Sequence, residues 1–291
     1  MSTQDFDVVV IGAGPAGLEA SAVIASAGLR VVAIDRMGPG GQLMNLGSLQ
    51  GVIGLAPDAT GPDLLVEIAD RAMSAGAEMG IDDVSSVQSE GDGFVVNALE
   101  ASYTAQAVVV ATGLTPGTTG LADEHRFEGA GLSHCAHCDA PLYAGQPVIV
   151  AGSDAWAVEE AIELSAESSA VTLVADGAPD APAPRLAELS RRGNVTIVSG
   201  AIVALDGADA LEAVVVRGAA DAQTVPARGL FLQTGRVPAR GFLAEGTAEA
   251  DGVFFAGDVR DGSLRSITEA VADGVKAGQN AADWVRARKG A

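Results

Sequence analysis

The sequence predicts an α/β protein of about two domains, organised around parallel strands. Three observations predict it. The β-branched run Val8-Val9-Val10-Ile11 meets a glycine-rich turn and then an alanine-rich segment, as a buried parallel strand meets its crossover helix. A second, shorter strand–helix–strand pattern begins at Pro147. The chain has 291 residues, 48% of them hydrophobic, which is too apolar for disorder and long enough for two cores.

The elements follow in order. Val8–Ile11 reads as the first strand, and the helix after it runs to about residue 27, where Gly28 ends it. A strand over 30–34 ends at Asp35. Gly38-Pro39-Gly40-Gly41-Gln42 opens a loop region that lasts to about Pro62, and a helix is expected over 63–75. Segments 82–89 and 94–99 read as paired strands around Gly91-Asp92-Gly93. Ala107–Val110 is a buried strand closed by Ala111-Thr112-Gly113. In the middle of the chain, a strand at Pro147–Ala151, a helix over 156–167 and a strand over 170–174 repeat the first pattern. The Ala-, Pro-, Gly- and Asp-rich stretch 175–184 reads as a loop. Further strands are expected near 195–198, 211–216 and 229–233. A last strand over 253–256 ends at Gly257-Asp258, and a helix over about 264–288 closes the chain.

Charge and cysteine usage remove several classes. Lys and Arg number 17 against 38 Asp and Glu, a formal charge of −21, so no basic surface for nucleic acid can be assembled. Two cysteines cannot staple a secreted scaffold. No apolar run reaches the ~18 residues of a membrane span, and the polar, acidic residues 1–7 do not resemble a signal peptide. A soluble cytoplasmic protein is expected.

Two places carry chemistry. Gly12-x-Gly14-x-x-Gly17 lies between a strand and a helix. There the first two glycines admit a tight turn and close approach to a pyrophosphate, and the third lets helix and strand pack. The helix start offers N–H groups and partial positive charge to phosphate, and Asp35 at the next strand end can accept from a ribose. An aspartate at Asp258 can accept from a ribityl hydroxyl, and the helix opening near Ser266 and Ile267 can face a flavin's electron-rich edge. The second place is Cys135-Ala136-His137-Cys138-Asp139. Two cysteines three apart at a helix start, beside an imidazole, favour thiolate and redox chemistry. They are the only cysteines in the chain, and His125, His134 and His137 all lie close by in sequence. Zinc on His134, Cys135, His137 and Cys138 is a rival reading, but four ligands within five residues would be strained. An inert Cys-x-x-Cys is another.

Taken together, these residues resemble the low-molecular-weight thioredoxin reductases. The matching pieces are Gly12 to Gly17, Gly40-Gly41-Gln42-Leu43, Gly61-Pro62, Ala111-Thr112-Gly113, Cys135 to Asp139, Val158-Glu159-Glu160-Ala161, and Gly257-Asp258-Val259-Arg260-Asp261 with Arg265. The resemblance implies two Rossmann-like, doubly wound, three-layer domains, the second inserted into the first. An FAD domain would span 1–114 and 243–291, and the inserted domain, 115–242, would carry the cysteines. FAD would be held by Gly12, Gly14, Pro15, Ala16, Asp35, Arg36, Gly41, Gln42, Val84, Ala111, Thr112, Gly113, Gly257, Asp258, Arg265, Ser266 and Ile267. Cys138 would exchange electrons with the flavin, Cys135 would meet the substrate, Asp139 would act as acid/base, and His137 completes the catalytic set. The family implies a homodimer whose inserted domain rotates, acting on a thioredoxin-like protein or a small disulfide or dithiol.

The sequence departs from the family at the nicotinamide site. NADPH-using relatives carry Gly-x-Gly-x-x-Ala in the inserted domain, whereas this chain has Gly152-Ser153-Asp154-Ala155-Trp156-Ala157. Asp154 occupies the place of the second glycine with a charge that repels phosphate. Where relatives have basic residues for the 2′-phosphate, this chain has Ala175-Asp176-Gly177, and Arg191 and Arg192 are the nearest basic pair. In the flavin loop the run Leu43-Met44-Asn45-Leu46-Gly47 is more apolar than in relatives, the aligned Asn position falls near Gly51, and Ser266 replaces a frequent Gln. NADPH and NADH are therefore not the expected donors. The leading expectation is a disulfide reductase fed by ferredoxin or another donor. The alternatives are a dithiol oxidase passing electrons through FAD to oxygen, an NADPH-dependent thioredoxin reductase, and a non-catalytic redox-sensing flavoprotein. The charge of −21 disfavours anionic partners at low salt.

Overall fold

The computed structural model describes residues 2–46, 49, 52, 54–56, 58–121, 123–219, 221–263 and 265–290, apart from the side chains of Ser2, Asn45, Pro116 and His137. Gly47, Gly51 and Leu264, which figure in the expectations above, lie outside the described residues. Two compact units emerge, one from residues 1–114 with 238–291, the other from 115–237.

In the first unit the chain runs through β1 (Ser2–Asp5), β2 (Val8–Ile11), α1 (Pro15–Ser26), β3 (Val31–Asp35), a 3₁₀ turn at Gly41–Asn45, α2 (Gly61–Ser74), β4 (Glu78–Ile81), β5 (Val84–Glu90), β6 (Gly93–Ala98), β7 (Ala101–Ala105) and β8 (Ala107–Val110). α2 begins at Gly61 because Thr60 and Asp63 cap it reciprocally. The Asp63 amide donates to Thr60 Oγ1 at 3.3 Å, and the Thr60 amide donates to Asp63 Oδ2 at 2.9 Å.

β9 (Leu114–Pro116) leads out of the first unit. The second unit then runs through β10 (Leu132–Ser133), α3 (Ala136–Asp139), β11 (Pro147–Ala151), α4 (Ala155–Leu164), β12 (Ala170–Ala175), α5 (Ala183–Arg191), β13 (Val195–Ser199), β14 (Ala201–Asp206), β15 (Ala213–Arg217), β16 (Ala222–Pro226) and β17 (Gly229–Leu232). β18 (Arg236–Pro238) pairs with β9 where the chain returns. β19 (Val253–Phe255) and α6 (Ile267–Lys289) complete the first unit.

Each unit has three layers. In the first, an all-parallel sheet of order β19-β8-β2-β3-β4 forms the middle. Successive strand residues point to opposite faces. Val8 and Val10 cluster with Leu18 of α1, Ile68 of α2 and Val285 of α6. Val9 and Ile11 cluster with Val87, Phe94, Val96 and Tyr103 of the sheet β1-β7-β6-β5. Burial on both faces explains why this strand is apolar without alternation, each such side chain contributing about 1.5–3 kcal/mol. The second unit repeats the plan. Its parallel sheet is β10-β17-β11-β12-β13. Val148 and Val150 pack on Val158 and Leu164 of α4 and Leu189 of α5, while Ile149 and Ala151 pack on Leu205, Val214 and Val216 of the antiparallel β14-β15-β16. Among the described residues no helix is long and apolar enough to cross a membrane.

Candidate active site

In the first unit, three segments converge on the start of α1. Gly12 has φ +99°, and a Cβ there would lie 2.4 Å from the Ala111 carbonyl oxygen, so the turn closes against Ala111-Thr112-Gly113 only with glycine. A Cβ on Gly17 would collide with the Gly12 carbonyl oxygen, which is what lets α1 leave the sheet so closely. The Gly40 amide donates to the Ala13 carbonyl at 2.9 Å and brings the turn bearing Gly41 and Gln42 beside Gly14. The Gly257 Cα lies against Ala16, where a Cβ would meet the Ala16 Cβ at 2.9 Å. Asp35 is fixed by the Ala13 amide on Oδ2 and the Met37 amide on Oδ1, both at 3.0 Å. α1 starts at Gly14 with no side-chain cap, Pro15 follows in its first turn, and that turn holds no acid. Its positive end is thus open to an anion. Glycine cradle, uncapped helix and strand-end acid fit a dinucleotide.

The remaining positions expected to hold FAD are placed as follows. Arg36 is exposed, and Thr112 donates from its hydroxyl to the Ala239 carbonyl at 2.6 Å. Asp258 accepts from Ser263 at 3.4 Å. Arg265 has φ +52°, and Ser266 caps α6 by accepting from the Glu269 amide at 3.2 Å. Ile267 packs on the same cluster as Ala13 and Ala16, whereas Val84 packs on the opposite face of the sheet.

In the second unit, Cys135 and Cys138 form a disulfide with Cα atoms 5.4 Å apart. Cys135 caps the four-residue α3, and the Cys138 amide donates to its sulfur at 3.2 Å. Ser133 ties the turn together, accepting from the Cys135 amide at 3.2 Å and donating to Asp139 Oδ2 at 2.7 Å. His134 Nε2 lies 3.2 Å from Glu128 Oε1. His125 is exposed on the 3₁₀ turn Glu124–Phe127.

Beneath this turn lies a residue to which sequence reasoning gave no role. Glu160 of α4 is 8% exposed. Its Oε1 accepts from the Ala136 amide at 3.3 Å and from Gln233 Nε2 at 2.9 Å, while Oε2 is buried with no hydrogen-bond partner among the described residues. Burial pushes its carboxyl up to about 7, against the opposing pull of these two hydrogen bonds and of Arg236. The signal was an acid inside the apolar stripe Ala157, Val158, Ala161, Leu164. Its neighbour Glu159 points to Arg185, as a surface acid does.

The second glycine turn, between β11 and α4, is closed by its own side chains. Asp154 Oδ1 accepts from the Ala157 amide at 3.0 Å. The Asp176 amide donates to Ser153 Oγ at 2.9 Å and the Asp180 amide to the Ser153 carbonyl at 2.6 Å, so the acidic loop after β12 folds back on the turn. Trp156 lies under the Arg236 guanidinium, 4.7 Å from carbon to ring centroid, and Arg236 donates to Gln233 Oε1 at 2.6 Å.

The family described as pyridine nucleotide-disulphide oxidoreductase matches residues 6–274. A thioredoxin reductase of Listeria monocytogenes is 32% identical over 307 aligned positions, covering 98% of this chain and 95% of that protein. This chain belongs to the thioredoxin reductases of that family. It superposes on the thioredoxin reductase of Lactococcus lactis with a TM-score of 0.86 at 25% identity, covering 97% of this chain and 99% of that one. For the thioredoxin reductase of T. acidophilum the TM-score is 0.83 at 25% identity, with 96% and 98% covered. The chain is accordingly a flavin-dependent disulfide oxidoreductase, and its family implies FAD.

Proposed function

We propose that this chain passes electrons between FAD and a thioredoxin-like protein or small disulfide through Cys135 and Cys138, and that its electrons come from a donor other than NADPH or NADH, such as reduced ferredoxin. The Asp154 cap carries the second half of this reading. α1 presents an uncapped, acid-free N-terminus, but α4 spends its first-turn N–H on its own carboxylate. A nucleotide phosphate would have to displace Asp154 and sit near Asp176 and Asp180, all of one sign with it.

FAD would be held in the unit made of 1–114 and 238–291, its pyrophosphate on the Gly12–Gly17 turn and a ribose on Asp35. When bound it supplies the two-electron store. The protein's own sulfurs do the rest. A Cys135 thiolate attacks one sulfur of the substrate disulfide, whose other sulfur leaves as thiolate. Cys138 then attacks Cys135 Sγ, so the Cys135–Cys138 bond forms and the second substrate sulfur leaves. Two electrons have passed to the substrate, and Asp139, oriented by Ser133, delivers a proton to a leaving thiolate.

An anaerobic titration tests the reading. NADPH and then NADH at micromolar levels should leave the flavin absorbance unchanged, while photoreduced ferredoxin bleaches it and thiols then appear on a disulfide substrate. Rapid bleaching by NADPH overturns the donor assignment. Bleaching by dithiols, followed by peroxide when air is admitted, reverses the direction to that of an oxidase.

A further inference from the structure

We infer that Glu160 is a positioning residue that couples proton uptake to reduction of the Cys135–Cys138 disulfide, its buried carboxyl bracing the N–H that opens the cysteine turn and taking a proton when an anionic sulfur forms there. The inference rests on the redox role proposed for that pair.

The geometry carries it. The Ala136 amide is the first N–H after Cys135, and it points at Glu160 Oε1 rather than at water. The Gln233 amide donates to the same oxygen. Two donors on one oxygen, and none among the described residues on the other, suit a neutral acid better than a carboxylate, with Oε1 as its carbonyl and Oε2 as a hydroxyl without an acceptor. An ionised carboxylate would leave a charged oxygen, Oε2, buried without a partner, which is costly. A carboxyl balanced near neutrality, as burial makes this one, responds to any new charge close by.

The groups facing Glu160 define what that charge can be. β18 contributes Arg236, which favours the carboxylate, and α4 itself contributes Glu163, which opposes it. β11 and β12 present the apolar Val148, Val150, Val171 and Leu173 to the α4 side; of the charged residues of α5, Arg185 and Glu188 are engaged with Glu159 and Arg192, and Arg191 is exposed. The cysteine turn contributes Cys135, Cys138 and Asp139. Of these the sulfurs gain charge on reduction. Breaking the S–S bond takes two electrons, supplied by the flavin in the enzyme's own reaction. One sulfur leaves as a thiol with one proton and the other as a thiolate. The thiolate disfavours a second anion nearby, so an ionised Glu160 takes up the second proton.

The test is a redox titration of the FAD-bound protein in oxidised and reduced dithiothreitol from pH 6 to 9, with thiols counted by alkylation and mass spectrometry. Above pH 7 the wild type should take up about one more proton per two electrons than Glu160→Gln. That is a tenfold steeper change in the equilibrium constant per pH unit, about 30 mV. Gln keeps the acceptor for Ala136 and loses only the titration. Equal pH slopes overturn the inference. A pair that does not titrate against dithiol in either protein overturns the redox reading as well. If Glu160→Gln does not fold, redox-difference infrared spectra of the wild type at pH 8 decide. A protonated carboxyl should appear on reduction and persist in Asp139→Asn, and its absence or its loss in Asp139→Asn overturns the assignment.

Discussion

Asp154 Oδ1 lies 3.0 Å from the Ala157 backbone nitrogen and accepts its hydrogen bond, whereas the equivalent turn at Gly14 has no side chain that can do so. One motif is therefore built twice in this chain, open in the unit that includes α1 and closed in the unit that includes α4. Asp154→Gly with Asp176→Arg should reopen the second turn. Replacing an N-cap aspartate by glycine costs only a few tenths of a kcal/mol, so the helix should survive. The double variant is expected to bind NADPH at least about tenfold more tightly than the wild type, a gain of roughly 1.4 kcal/mol. Calorimetric titration of both proteins measures it, and equal affinities would place the obstruction elsewhere.

Glu160 also ties stability to pH. Its carboxyl holds a proton up to about pH 7 in the folded protein and only to its ordinary 4.5 when unfolded. Between those values the native state binds more protons, so this group's contribution is full below about 4.5 and lost as pH rises through 7. The loss is on the order of 3 kcal/mol. Glu160→Gln should remove it. Urea unfolding at pH 5 and pH 8 should show the wild type losing more stability across the interval than the variant, both with disulfide intact and FAD saturating.

What the sequence made legible follows from burial. β2, β8 and β11 are covered on both faces, and their apolar runs name them directly. β1 is an edge strand with Thr3, Gln4 and Asp5 exposed, so backbone pairing to β7 holds it and no side-chain pattern marks it. β4 and β16 are edges of the same kind. α5 was hidden because 175–184 reads as a loop, yet Pro184 sits in its first turn, where proline's missing N–H does no harm. The cysteine pair announced itself by composition. Glu160 did not, because an acid beside another acid looks like a solvated helix face until the partner of each is known.

Gly12→Ala should weaken the cofactor cradle. The residue sits at φ +99°, and the added Cβ would lie 2.4 Å from a backbone oxygen that cannot move without displacing β8. Backbone strain of this kind costs about 1–3 kcal/mol before the clash is counted. The variant is expected to purify with substoichiometric FAD, read from the ratio of flavin to protein absorbance, and to melt lower than the wild type. Full flavin content would mean that the turn relaxes without touching the ligand.

The two cysteines should separate by function. Cys138→Ser removes the thiol that resolves the mixed disulfide and leaves Cys135 able to form it. This variant should bind one equivalent of an aromatic disulfide probe covalently and hold it. Cys135→Ser keeps only Cys138, the thiol expected to exchange electrons with the flavin rather than to meet the substrate, and should bind far less. Neither substitution touches Gly12, Asp35 or Gly257, so both variants should retain FAD at the wild-type ratio. In stopped-flow reduction, Cys138→Ser should show flavin reduction without the slower phase that fills the disulfide. Loss of FAD from Cys138→Ser would make the pair a structural staple. A stable adduct on Cys135→Ser instead of Cys138→Ser would exchange the two roles, an outcome with a physical footing in the oxidised turn, where Cys138 is the more exposed of the pair.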